Sequence, residues 1–189
     1  MLTRNPTDHE LMLEVRNGSV EKLGRLFERH HKYLYNFFLR SLGDRVTSED
    51  LVQEVFLRIL NYRHTYRPDG EFLPWLFAIA RNARIDHYRN QDKIVVYSEA
   101  VSKHATDASD PESDASHQGD VAILQQALAQ LTPEKREALI LSRFQDLRYQ
   151  DIGKILGCSV NAVKVRVFRA LQDLRENFYA LTGETHHGL

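Results

Sequence analysis

Apolar residues in the first ninety positions recur at three- and four-residue steps, the spacing of an amphipathic helix, and no strand-like alternation competes with it. Leu11, Met12 and Val15 set the inner face of a helix over about 7–16, which Gly18 and Ser19 break. A second helix, over about 20–42, buries Leu23, Leu26, Phe27, Leu34, Phe37 and Phe38 and stops at Gly43. Thr47 or Ser48 caps a third that runs to about Asn61. Its inner stripe is Leu51, Val52, Val55, Phe56 and Ile59, and its outer side carries Asp50, Gln53 and Glu54. Pro68 and Gly70 close it. A fourth, over about 72–90, turns Phe72, Leu76, Ile79 and Ala83 inward and gathers Arg81, Arg84 and Tyr88 on another side.

The segment from Leu147 to Arg175 is the most specific. Tyr149, Ile152, Ile155 and Leu156 define a short helix, and Gly157 supplies the positive φ that a sharp helix-ending turn needs. Ser159 is placed to cap a second helix from Val160, whose apolar stripe is Val160, Val163, Val167, Ala170, Leu171 and Leu174. Asn161, Lys164, Val165, Phe168, Arg169 and Gln172 face away from that stripe. Two short helices sharing a core, the second cationic and amide-bearing on its outer face, read as a DNA-binding helix-turn-helix. Asn161 would then read a base edge while Lys164 and Arg169 reach bases or phosphates. Arg166, at the border of the stripe, suits a phosphate contact or an internal salt bridge. The plainer alternative is a helical hairpin with a solvated basic face. Thr132, Pro133 and Glu134 start a supporting helix, with Pro at the first helical position and Leu139, Ile140 and Phe144 feeding its core.

A composition break separates the two helical blocks. From Ser98 to Asp120 the chain is rich in Ser, Asp, Ala and His, and a stretch so poor in large apolar side chains cannot repay its ordering entropy. It reads as a flexible linker. Residues 1–98 hold 15 Lys and Arg against 13 Asp and Glu, residues 121–189 hold 9 against 7, and the connector holds 1 against 6. Two slightly basic lobes on an acidic tether carry too little charge for tight DNA binding unaided, which implies a partner that brings the chain to DNA. The N-terminus lacks an apolar run behind basic residues and no stretch is long enough to cross a bilayer, so neither export nor membrane insertion is expected and a cytoplasmic location follows. Cys158 is the single cysteine, which excludes an internal disulfide. Nine histidines raise a metal site, with His30-His31 and His186-His187 the obvious pairs. Neighbours on a helix point to different sides and the tail pair has no carboxylate or thiol nearby, so neither metal nor cofactor is expected.

The run Asp50-Leu51-Val52-Gln53-Glu54-Val55-Phe56, followed by Trp75-Leu76-Phe77-Ala78-Ile79-Ala80-Arg81-Asn82-Ala83-Arg84-Ile85-Asp86-His87-Tyr88-Arg89, resembles region 2 of bacterial sigma factors. Leu131 to Arg175 resembles their region 4, and the short acidic connector, with no helical domain between, makes the resemblance one to the extracytoplasmic-function (ECF) group. The resemblance implies an all-α chain of two small helical domains: region 2 over 1–97, a linker over 98–120, the region 4 helix-turn-helix over 121–181 and a tail over 182–189. It implies a non-catalytic subunit of RNA polymerase that directs promoter recognition and initiation.

By the same resemblance, Asp50, Gln53 and Glu54 would dock on the clamp helices of the largest polymerase subunit, where acidic groups facing basic ones aid encounter and register. The region 4 lobe would grip the flap of the second-largest subunit. Asn82 and the loop from Tyr62 to Glu71 would read the minus-10 element once its strands part, with Tyr62, Arg63, Tyr66 and Arg67 stacking on or clamping a base and Arg84 and Arg89 following phosphates. The tyrosines have a duller reading, as packing for the loop. Trp75 reads as core rather than a base wedge, while the role of Asp86 is open, a pairing with Arg89 or Asn82 across a turn being one option. Asn161, Lys164, Val165, Phe168 and Arg169 would read the minus-35 duplex. Ala162 and Val165 stand where many relatives carry Thr and Ser, and Phe168 where His is common. These exchanges favour contact with a thymine methyl. An anti-sigma factor that wedges between the lobes is a further implied partner. Two readings from other classes compete: a dimeric operator-binding regulator, for which no dimer seam is seen, and a helical hydrolase, for which no paired catalytic motif is seen.

Overall fold

A computed structural model of the chain describes residues 5–97, 115–145 and 147–183, and among the described residues every regular element is helical. α1 spans Asp8–Arg16, α2 Leu23–Leu42, α3 Arg45–Tyr62 and α4 Phe72–Tyr97. α5 spans Ala115–Ala129, α6 Pro133–Arg143, α7 Tyr149–Leu156 and α8 Val160–Thr182. Single 3-10 turns lie at Val20–Lys22 and Arg63–Thr65. The helices gather into two units, residues 5–36 with 46–97 and residues 37–45 with 115–183. The all-α, two-body expectation holds.

Local chemistry explains where the first helices begin. Thr7 closes a capping box: its N–H donates to Glu10 Oε2 at 2.7 Å and the Glu10 N–H donates to Thr7 Oγ1 at 3.2 Å. Leu11, Met12 and Val15 then point inward and are fully buried. The stripe of α3 is buried as its periodicity requires, at Leu51, Val52, Val55, Phe56 and Ile59. The start of α3 differs from the sequence reading. Gly43, at φ 76°, ends α2 so tightly that the chain re-enters helix by Arg45, leaving Thr47 and Ser48 inside the first turn rather than capping it. Phe27 differs as well. Leu26, His30 and Leu34 occupy the inward positions of α2, and Phe27, one residue round, stays 40% exposed against the edge of Phe56.

In the second unit, α8 packs on α5, α6 and α7 around Leu128, Leu139, Ile152, Val163 and Val167. Asn177 Nδ2 donates to the Ala127 carbonyl at 3.2 Å, and Lys135 pairs with Asp173, tying α8 to α5 and α6. Arg136 donates to the carbonyls of Ala129 and Leu131, satisfying groups that the end of α5 leaves open. Thr132 and Pro133 stand at the start of α6 as expected, although the Thr132 side chain makes no capping bond. α4 continues past the expected Asn90 to Tyr97, and α5 begins at Ala115, inside the stretch read as linker. The rest of that stretch, 98–114, and His186-His187 lie outside the described residues.

Candidate nucleic-acid interface

The turn between α7 and α8 is built from three residues with separate tasks. Gly157 ends α7 at φ 64°, ψ 37°, the left-handed region that glycine enters without a Cβ penalty. The Cys158 N–H reaches back to the Gly153 carbonyl at 3.0 Å. Ser159 then caps α8, its hydroxyl accepting the Ala162 N–H at 3.2 Å. A fourth residue makes the close crossing possible: a Cβ on Gly153 would stand 2.8 Å from the Cys158 carbonyl oxygen, so only hydrogen fits there. A glycine at mid-helix, which costs propensity, was the available sequence signal for this. Arg166, half-buried, donates to Cys158 Sγ at 3.6 Å and so braces the turn. Asp151, nearly buried, accepts from Arg148 Nε at 2.9 Å and Lys154 Nζ at 3.3 Å, which fixes two cations beside α7.

With the turn set, α8 divides cleanly. Val163, Val167 and Ala170 are buried, and Asn161, Lys164, Val165, Phe168, Arg169 and Gln172 are exposed. All five residues expected to read duplex DNA therefore share one solvent-facing arc. At 1.5 Å per residue the arc is about 12 Å long, a length the major groove admits. Val165 is 47% and Phe168 63% exposed, so both side chains stand in the outer arc. Phe168 also borders an apolar cleft with Leu124, Leu171 and Phe178.

On α3, Asp50 and Gln53 are exposed and Glu54 is half-buried. Glu54 is committed within the protein, since Arg58 donates to it from Nε at 2.6 Å and to Asp86 of α4 from Nη1 at 2.7 Å. Burial acts to lower the Arg58 pKa, but the bonds to Glu54 and Asp86 and their charges outweigh it and hold the guanidinium above its ordinary value. Asp86 thus pairs across helices rather than with Arg89 or Asn82. The Glu54 to Arg58 step is an i,i+4 pair visible in sequence, but its link to α4 is not.

Between α3 and α4 the expected strand-reading residues part company. Tyr62 is 53% exposed, and Arg67, Asn82 and Arg89 are exposed, the last two a heptad apart on α4. Arg63 is half-buried and donates to the Leu60 carbonyl at 2.6 Å, and Arg67 pairs loosely with Asp69 at 3.2 Å. Tyr66 is inside. It is 1% exposed, its ring lies 5.1 Å from Trp75 and 6.4 Å from Phe72, and its hydroxyl meets His9 Nδ1 at 2.7 Å and the Gly70 carbonyl at 3.2 Å. Burial, with the charges of Asp8 and Glu71, pushes its pKa up to about 12. Arg84 is buried too, 7% exposed and engaged within the protein. Neither side chain is presented to a base or a phosphate: Arg84 falls on the buried side of α4, and Tyr66, in the loop before it, is held inside by Trp75, Phe72 and His9. The adjacent histidines of α2 diverge, His30 Nε2 meeting Asp8 at 2.7 Å and His31 lying on Phe27, and no metal-holding cluster occurs among the described residues.

Residues 26–94 match the family model for Sigma-70 region 2, and residues 122–174 match that for Sigma-70, region 4. RNA polymerase sigma factor CarQ of Myxococcus xanthus is 33% identical over 168 residues, covering 87% of this chain and 94% of that protein. ECF RNA polymerase sigma factor SigX of Bacillus subtilis is 31% identical over 166 residues, 84% of each. Among solved structures, the sigma factor RpoE in complex with the anti-sigma factor NepR from Bartonella quintana superposes with a TM-score of 0.70 at 25% identity, over 82% of this chain and 94% of that one. Both halves of the chain, in this order and over nearly its full length, place it among the ECF RNA polymerase sigma factors, which direct promoter recognition and transcription initiation.

Proposed function

We propose that the chain is a non-catalytic specificity subunit with four working surfaces. The outer arc of α8, through Asn161, Lys164, Val165, Phe168 and Arg169, reads the minus-35 duplex. Tyr62, Arg63, Arg67, Asn82 and Arg89 hold the separated minus-10 strand. Asp50 and Gln53, with Glu54 at their edge, dock on the clamp helices of the largest polymerase subunit, and the second unit engages the flap of the second-largest. Opening needs no covalent step, only an open state bound better than the duplex. The setting is the cytoplasm, where polymerase works, and among the described residues no helix is long and apolar enough to cross a membrane. RpoE of Bartonella quintana forms a complex with the anti-sigma factor NepR, and an anti-sigma factor is the proposed restraint here.

The observation that carries this reading is the shared exposure of all five α8 residues opposite a buried stripe, on a helix whose start is fixed by Gly157 and Ser159. Lys164→Ala and Arg169→Ala test it in holoenzyme reconstituted with core polymerase, on minus-35 duplex selected by the wild type from a randomised pool. Each variant is expected to weaken duplex retention and, where the lost contact is to phosphate, to lower the slope of log affinity against log salt by about one. Polymerase affinity stays unchanged. Duplex retention equal to wild type in both variants refutes the assignment.

A further inference from the structure

α1 lies outside the segment matched by the region 2 family model, yet its first turn is bonded to the loop that the proposed function gives to the minus-10 strand. The capping box at Thr7 fixes the direction in which Asp8 and His9 leave the backbone. Asp8 accepts from Arg29 Nη1 and meets His30 Nε2, both at 2.7 Å, and Arg29 also donates to the Pro6 carbonyl and to Asn5 Oδ1 at 2.9 Å. His30 is buried with its ring 5.1 Å from Phe72, the first residue of α4. The turn is therefore clamped to α2 and packed next to the end of the loop.

From that clamped turn, His9 reaches Tyr66 Oη. A tyrosine hydroxyl has one proton, and both of its contacts are satisfied together in one arrangement: His9 Nδ1–H donates to Tyr66 Oη, and Tyr66 O–H donates to the Gly70 carbonyl. The chain of two bonds runs from α1, through the buried centre of the loop, to the backbone four residues further on. His9 also lines a cleft with residues 68–74, so the same side chain borders the far limb of the loop. Tyr62 and Arg67, both exposed, flank this anchor.

We propose that His9 and Tyr66 are positioning residues for single-strand recognition: through the His9–Tyr66–Gly70 relay, α1 holds the loop in the shape in which Tyr62 and Arg67 meet the unpaired minus-10 strand. The inference rests on the loop assignment made under the proposed function. A loop held in its binding shape spends less of its contact energy on ordering, so the relay acts on strand affinity without touching DNA.

The test uses holoenzyme with the full chain and a fork-junction DNA whose single-stranded minus-10 segment is selected from a randomised pool by the wild type. A buried hydrogen bond of about 1 kcal/mol corresponds to roughly a fivefold change. His9→Ala and Tyr66→Phe should each release the fork junction about fivefold faster at unchanged polymerase affinity and unchanged minus-35 duplex retention. His9→Asn, whose amide can donate to Tyr66, should restore most of the loss. The double variant should lose no more than the worse single one, since both remove the same relay. Circular dichroism of each variant confirms that α1 and its neighbours fold. Unchanged fork-junction release in His9→Ala, equal behaviour of His9→Ala and His9→Asn, or a parallel fall in polymerase affinity overturns the inference. Tyr62→Ala and Arg67→Ala separate the two layers: if they speed release while His9→Ala does not, the loop assignment stands and the relay falls; if they too are silent, both fall.

Discussion

Replacing Gly153 by alanine puts one methyl group at the closest crossing in the second unit. The new Cβ would lie 2.8 Å from the Cys158 carbonyl oxygen, inside the 3.0 Å that real Cβ atoms essentially never breach. The obstacle is backbone, and the Cys158 N–H is itself bonded to the Gly153 carbonyl at 3.0 Å, so the turn cannot swing aside without giving up that bond. Relief to an ordinary contact of 3.4 Å requires a shift of about half an ångström at the residue just before the Ser159 cap. Overpacking of this kind costs about 1–3 kcal/mol, and the helix propensity of alanine returns about 1 kcal/mol of it. Gly24 of α2 is the control, since a Cβ there meets nothing within 4 Å and its φ is helical. Gly24→Ala should therefore gain about 0.5–1 kcal/mol in chemical denaturation of the full chain, whereas Gly153→Ala should lose up to about 2 kcal/mol. The displaced turn should also weaken duplex retention by holoenzyme although no side chain proposed to face DNA has changed. A Gly153→Ala protein as stabilised as Gly24→Ala, with full duplex retention, would refute the claim that this crossing demands glycine.

Arg58→Ala removes the bridge between Glu54 and Asp86, and because both acids are partly exposed the loss should be modest, about 1 kcal/mol by urea denaturation. No loss in Arg58→Ala would refute the bridge, and full stability in Arg58→Met would mean that the aliphatic stem rather than the charge matters. Tyr66 supplies a pH signature. Its pKa is 10.0 when unperturbed and about 12 in the fold, so the stability it contributes is fully present below pH 10 and disappears as pH rises through 12. Tyr66→Phe should flatten the fall in unfolding free energy between those values; identical profiles for variant and wild type would contradict its burial.

Legibility in the sequence followed the range of the interaction. Gly157 and Ser159 were readable because a left-handed turn and an N-cap are decided within four residues, and the α3 stripe because a 3.6-residue period needs no knowledge of what it packs against. Phe27 and Tyr66 were undecided in sequence for one shared reason: an aromatic at the edge of a helix stripe or in a loop is equally compatible with lining the core or facing solvent, and the choice belongs to the neighbouring helix. His30 took the core place beside Phe27, and His9, more than fifty residues away in sequence, supplied the partner that lets the Tyr66 hydroxyl be buried.

The chain alone thus settled most of its helices, though not α5 or the ends of α3 and α4, together with the turn chemistry of the helix-turn-helix and the all-helical, two-body character, since propensity, caps and hydrophobic period are local properties. Packing decided which polar groups remain available. Arg84 and Tyr66 went inside, Glu54 was drawn to Arg58, and Asp86 turned to α3 rather than to Arg89. Such outcomes depend on which helices cross and how closely, and a crossing like that at Gly153 is set by contacts that no local window contains.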